Sequence, residues 1–217
     1  MALFSYLFEN IPYILEKTWE HLYLFLISWS LAVITGIFIG VLSTRGGNEK
    51  IGRIVLSITG ATQAVPSTAV IALVFIFMGI GALPATFALF IYSLVPITFN
   101  TASGLISCSP DMKEAALGMG MTKRQILFKV ELPTSIPAIA SGVRTAAVIN
   151  IGTAAIASMI GAGGLGEIIF IGLKLMDVSK IFAGALLVAL LAILIDILLA
   201  LIERTIMSKG LLMNQEN

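Results

Sequence analysis

Apolar runs of membrane-crossing length alternate with polar breaks along this chain, and their spacing predicts an all-α membrane protein with about five transmembrane helices. The runs cover 22–43, 54–78, 85–105, 138–160 and 181–202, and about twenty apolar residues suffice to cross a hydrocarbon layer about 30 Å thick. The second run is interrupted by Gln63 and Pro66, but either half alone is too short to cross, so it reads as one kinked span. The third bends at Pro96. Ahead of the first run, 1–21 places Phe4, Leu7, Phe8, Ile11, Ile14, Leu15 and Trp19 at amphipathic spacing with an interruption near Pro12. That pattern predicts a segment lying in the membrane interface, with Tyr23 and Trp29 close by. Residues 161–180, with Glu167, Lys174, Asp177 and Lys180, read as a loop, and 204–217 as a polar tail.

The longest polar break, 107–137, has helical content of its own. Ser109 can cap a helix with Pro110 at its first position and Asp111 and Glu114 in its first turn, which suits the positive end of the helix dipole. Gly118 and Gly120 weaken that helix. A second can start at Thr122, with Gln125 as its capping-box partner, and run through Ile126, Leu127 and Val130 until Pro133 stops it. Two short helices therefore meet at Gly120.

Composition agrees with a membrane domain and excludes several function classes. The 217 residues are 58% hydrophobic and only 12% charged, with mean hydropathy +1.03, about half the charge of a soluble domain. A net charge of +1 gives no basic face for nucleic acid. The lone Cys108 excludes an internal disulfide or a multi-cysteine metal site, and the lone His21, between aromatic neighbours, reads as interfacial rather than as a ligand. The N-terminus has no basic start or small-residue cleavage site and is expected to be retained.

The cations are unevenly placed. With 107–137 on the cytoplasmic side, Arg45, Lys50, Arg53, Lys113, Lys123, Arg124, Lys129, Arg144, Arg204 and Lys209 lie inside, against Lys17, Lys174 and Lys180 outside. The positive-inside rule thus predicts a plasma- or inner-membrane protein with its N-terminus outside and its C-terminus in the cytoplasm. The chain reads as one membrane domain without internal repeats.

The polar break also carries a family resemblance. Glu114-Ala115-Ala116, three residues, Gly120, nine residues, then Val130-Glu131-Leu132-Pro133 resembles the EAA signature of ATP-binding-cassette importer permeases, with Val130 where isoleucine is usual. The resemblance implies a type I importer permease fold and a cytoplasmic coupling helix that docks in a groove of an ATPase, with Glu114, Ala115, Ala116, Gly120, Arg124, Leu132 and Pro133 at the coupling site. It implies two permease subunits, identical or paralogous, two cytosolic ATPases that use the ATP, and an external solute-binding protein. No cofactor is expected on this chain, and its end at Asn217 leaves no room for a fused binding domain. Further stretches, Gln63-Ala64-Val65-Pro66-Ser67, Gly79 to Pro84, Tyr92 to Pro96 and Arg144 to Glu167, resemble permeases of importers for glycine betaine, carnitine, choline or proline betaine. Permeases for methionine, phosphonates and other small solutes share the scaffold.

Several polar positions have two readings each. Gln63 and Asn100 either line a path or bond a carbonyl freed by Pro66 or Pro96. Asn150, Thr153 and Ser158 share a small-residue surface, suited to helix packing or to a path for a polar zwitterion. Asp196, late in the fifth span, is interfacial or functional. Gly161, Gly163 and Gly166 match a dinucleotide fingerprint literally but lack a βαβ unit, so Gly163, Gly164 and Glu167 read as an outer loop, Glu167 being a docking contact or a solvated charge. A polytopic membrane enzyme would need a nucleophile with a base, paired carboxylates or a metal cluster. A stand-alone secondary transporter would need inverted repeats. Neither set is visible.

Overall fold

The structure, a computed structural model, describes residues 2–45, 49–62 and 64–206, and every regular element among them is helical. A short helix α1 (Ala2–Glu9) leads into α2 (Ile11–Ser43). Pro12 falls in the first turn of α2, where its missing N–H is not needed, so it begins the helix that follows. At 33 residues, α2 is about 50 Å long, well beyond the 22–43 span, and it absorbs half of the segment expected in the interface.

The second apolar run is broken rather than kinked. It comprises α3 (Glu49–Thr62) and α4 (Ser67–Met78), with Pro66 extended just ahead of α4. Gln63 lies outside the described residues. The third span is α5 (Ala82–Ile106), which keeps Pro96 inside it. After the polar break, α8 (Leu132–Ala157) runs on through a turn of 3-10 helix (Ser158–Ile160), and α10 (Val178–Ile206) forms the last span. Between them the expected loop contains a further helix, α9 (Gly166–Leu175), which is ten residues long and lies against α10 and α8. Among the described residues four helical stretches are long and apolar enough to cross a membrane, and α4 is a shorter apolar helix.

Helices α2, α5 and α8 form the centre. Their contact faces carry small residues, so the backbones approach closely. A Cβ added to Gly36 or Gly40 of α2 would stand within 3 Å of Ile97 or Thr101, and one on Gly142 of α8 would stand 2.6 Å from the Asn100 Cβ. Such small-residue contacts suit helices packing in lipid, where dispersion between close surfaces replaces the hydrophobic effect. Leu24, Ala85, Ala88, Leu89, Ala154 and Ala157 fill one end of this centre, and Ala32, Ile97 and Ala146 fill a second cluster. The most apolar stretch of α10 has no buried residue, as expected of a helix that meets lipid.

Candidate functional site

The polar break folds into two capped helices, and each cap can be traced to its residues. Helix α6 (Pro110–Gly118) starts with Pro110 and Asp111 in its first turn. Ser109 holds the N-cap position, but its side chain makes no capping bond, and Glu114 lies a turn further on than expected. At the other end the Met121 N–H donates to the Ala116 carbonyl (3.1 Å) and the Gly120 N–H to the Leu117 carbonyl (2.9 Å), with Gly120 at φ +77°. This is a Schellman closure, which needs a left-handed residue and so selects glycine. Next comes α7 (Lys123–Ile126). The Gln125 N–H donates to Thr122 Oγ1 (3.3 Å) and the Thr122 N–H to Gln125 Oε1 (2.8 Å), completing the expected capping box.

Pro133 does not end this second helix. A π turn (Leu127–Glu131) joins α7 to α8, with the Leu132 N–H bonded to the Leu127 carbonyl. That turn shifts the hydrogen-bond ladder by one residue, so the α pattern restarts at Leu132 and Pro133 falls in its first turn, where proline is tolerated. Thr134 and Ser135 donate their hydroxyls to the Val130 and Glu131 carbonyls.

Ala116 is 1% exposed and Ile126 6%, so each short helix is seated by one apolar side chain. Glu114, Ala115, Gly120, Lys123 and Arg124 face solvent, while Leu132 and Pro133 are half-buried at the root of α8. Apolar side chains share the solvent face. Met112, Leu117, Met119 and Phe128 are all exposed, Met119 at 70%, and the Arg124 guanidinium lies 6.0 Å from the Phe128 ring centroid. Apolar residues grouped on the polar end of a membrane domain, ringed by cations, mark an interaction surface.

Beneath this face is a carboxylate that periodicity alone did not single out. Glu131, 6% exposed, pairs with Arg45 just beyond α2 (2.5 Å) and with Lys113 of α6 (3.1 Å).

The described candidate path residues bond to serines of neighbouring helices or to carbonyls of their own helix. Asn150, 1% exposed, donates to Ser28 Oγ (2.9 Å) and Ser93 Oγ (2.7 Å), joining α8 to α2 and α5. Asn100 donates to the carbonyl of Pro96 itself (2.8 Å), Thr153 to Ile149 (2.8 Å) and Ser158 to Ala155 (2.5 Å).

Charges the sequence left open are paired. Arg144, counted above among the cytoplasmic cations, sits within α8 and donates to both Asp196 oxygens (2.9 and 3.1 Å) and to Glu203 (2.9 Å). In the loop ahead of α9, Gly161, Gly163 and Gly164 all have positive φ. The Gly164 N–H donates to Glu20 (2.8 Å), and Lys17 bridges Glu20 (3.0 Å) and Glu167 (2.8 Å). Glu167 is thus tied to α2 rather than free in solvent. His21 is fully buried beneath Gly164, its Nε2 3.1 Å from the Ile151 carbonyl. A side chain on Gly163 would meet the Glu20 carboxylate, and with no strand among the described residues the dinucleotide reading has no βαβ frame.

A polytopic helical domain with a capped helical loop at one polar end, its exposed face apolar and basic, defines the permease class of membrane transport proteins. The chain belongs to the family described as the binding-protein-dependent transport system inner membrane component, whose model matches residues 32–208. It is 39% identical to the carnitine transport permease protein OpuCB of Listeria monocytogenes, covering 97% of this chain and 95% of that one. It is 41% identical to the glycine betaine/carnitine/choline transport system permease protein OpuCB of Bacillus subtilis (strain 168), covering 96% and 95%. Among solved structures, an inward-facing MetNI methionine ABC transporter superposes with TM-score 0.79 over 92% of this chain and 99% of that one, at 24% identity, which establishes the shared fold. The protein is a multi-pass permease subunit in the inner or plasma membrane, part of a binding-protein-dependent ABC transporter with an ATPase and a binding protein. ATP is hydrolysed by the partner, and no cofactor belongs to this chain.

Proposed function

We propose that this chain forms, with a second identical or paralogous permease, the pathway by which a small quaternary-ammonium osmoprotectant enters the cell. The solute is glycine betaine, carnitine or choline, the compounds for which the relatives at about 40% identity are named. The loop 107–137 is the docking element for a dimer of cytosolic ATPases, the N-terminus lies outside and the C-terminus inside. The observation that carries the coupling role is the solvent face of the loop, where Met119 at the end of α6, Arg124 of α7 and Phe128 of the π turn are presented on short helices fixed by a Schellman closure and a capping box. A short helix held this way transmits a rigid-body push, whereas a flexible loop absorbs it. Ala115 permits close approach by the partner and Gly120 sets the angle between the helices. A separate binding protein supplies most of the selectivity, through an aromatic cage suited to a quaternary ammonium.

The test is ATP-dependent uptake of labelled glycine betaine, carnitine and choline by vesicles holding the assembled transporter, with Gly120→Asp in parallel. A Cβ at Gly120 meets nothing within 4 Å, but its left-handed φ of +77° strains any side chain, so Gly120→Asp places a charge on the docking face and loosens the Schellman closure at the same time. It is expected to abolish uptake while the chain still inserts. Normal uptake by Gly120→Asp would end the coupling assignment. Uptake of methionine in place of the three would keep the permease and remove the osmoprotectant.

A further inference from the structure

Glu131 is the only buried carboxylate among the described residues. Burying a carboxylate is costly, and a buried ion pair is seldom more stable than well-packed apolar side chains in its place. Fold stability is therefore a poor reason for Glu131, and its connections offer a better one. One oxygen holds Arg45, immediately beyond the C-terminal end of α2, where a cation also suits the helix dipole. The other holds Lys113 of α6. Lys113 lies at the same time 3.5 Å from the Leu105 carbonyl, in the last turn of α5. Glu131 itself is the last residue of the π turn from which α8 springs. A single carboxylate thus ties the end of α2 and the first helix of the loop to the root of α8, and Lys113 carries the link on to the end of α5.

Apolar packing at this junction is thin. Ala116 is the one buried residue of α6, so the helix sits on a point contact that lets it tilt. Around the ion pairs lies a cavity of about 200 Å³ lined by Thr44, Arg45, Gly52, Leu105, Lys113 and Glu131. Across a gap of that size packed side chains do not transmit displacement, whereas charge-assisted hydrogen bonds with fixed partners do. We infer that Glu131 is a positioning residue that passes movement of the coupling loop into α2 and α5 through its ion pairs with Arg45 and Lys113. This rests on the coupling role proposed above.

The experiment uses the complete transporter in proteoliposomes, with its ATPase and binding protein, and reads the transported solute per ATP hydrolysed. Glu131→Gln keeps the shape and removes the charge. The expected result is a fall of roughly tenfold in that ratio, with ATP hydrolysis continuing and the complex eluting at its wild-type size. A purely structural role would lower uptake and hydrolysis together through loss of assembled complex and leave the ratio unchanged. Because Arg45 acts through the same carboxylate, Arg45→Gln added to Glu131→Gln is expected to cost nothing more. A wild-type ratio in Glu131→Gln, or losses that multiply in the double variant, would overturn the inference. Should Glu131→Gln not assemble, Lys113→Gln carries the test, since it leaves the Arg45 pair in place; its ratio is expected to fall by a smaller factor, and an unchanged ratio overturns the inference. Gly120→Asp in the same assay separates the two readings. If it couples normally, the coupling role itself is lost, and if it uncouples while Glu131→Gln does not, only the role of Glu131 is lost.

Discussion

At the scale of single residues Asn150 is held from both sides, whereas the buried hydroxyls of Thr98 and Thr101 on α5 have no partner among the described residues. Asn150 offers two N–H groups and spends both on serines of neighbouring helices, so its removal is expected to loosen the bundle rather than alter solute choice. Asn150→Ala should lower stability in detergent by about 1–2 kcal/mol, the upper range for interhelical hydrogen bonds in membrane proteins, visible as a lower unfolding midpoint with the order of preferred solutes unchanged. A variant that unfolds like the parent but prefers a different solute would return Asn150 to the pathway. Gly120 was legible beforehand as a break between helices, and its left-handed φ supplies the physical reason. Glu131 was not. It stands inside the quoted motif, but a carboxylate in a polar stretch carries no sign of burial until Arg45, 86 positions away in sequence, is brought to it.

Among the elements, α9 and the start of α8 show where periodicity runs out. The short apolar run 168–173 between Glu167 and Lys174 cannot cross a membrane, and so short a run does not distinguish helix from loop. Pro133 read as a helix stop because proline usually is one, and only the hydrogen-bond register of the π turn turns it into a helix start. The beginning of α10 is set by Asp177, whose carboxylate accepts the Ser179 N–H (3.0 Å) and the Lys180 N–H (3.3 Å). Those interactions, the Lys180 backbone N–H foremost, hold its pKa below the ordinary carboxylate value. With the folded pKa depressed, the cap contributes fully above the unfolded value and is lost as pH falls through the folded one. Asp177→Ala should therefore speed amide exchange in the first turn of α10 at neutral pH, and the difference from the parent should vanish once acid protonates Asp177. Equal exchange at neutral pH would show that the turn is held by something else. The long apolar elements α2, α5, α8 and α10, by contrast, were legible from length, whereas the run 54–78 of similar length is divided at Pro66 into α3 and α4.

For the whole molecule, α10 is tied to the central bundle by charge as well as by packing. Arg144 forks onto Asp196 and reaches Glu203, with all three side chains only partly exposed. Removing Arg144 alone leaves the partly exposed Asp196 and Glu203 carboxylates without their shared partner, and Arg144→Ala is expected to cost about 1–3 kcal/mol, discounted for partial exposure. Adding Asp196→Ala should restore part of that loss in the same unfolding measurement; a double variant weaker than Arg144→Ala would mean the cluster is not the tie. Asp196 was legible as a charge near an interface, but its pairing with Arg144, 52 positions away, was not. The length of α2 has a consequence of a different kind. It holds Lys17, Glu20 and His21 against the glycine loop near one end and delivers Arg45 to Glu131 at the other. Past Pro12 no proline interrupts it, so a push on one end is expected to reach the other, as along a connecting rod made of a single piece of backbone.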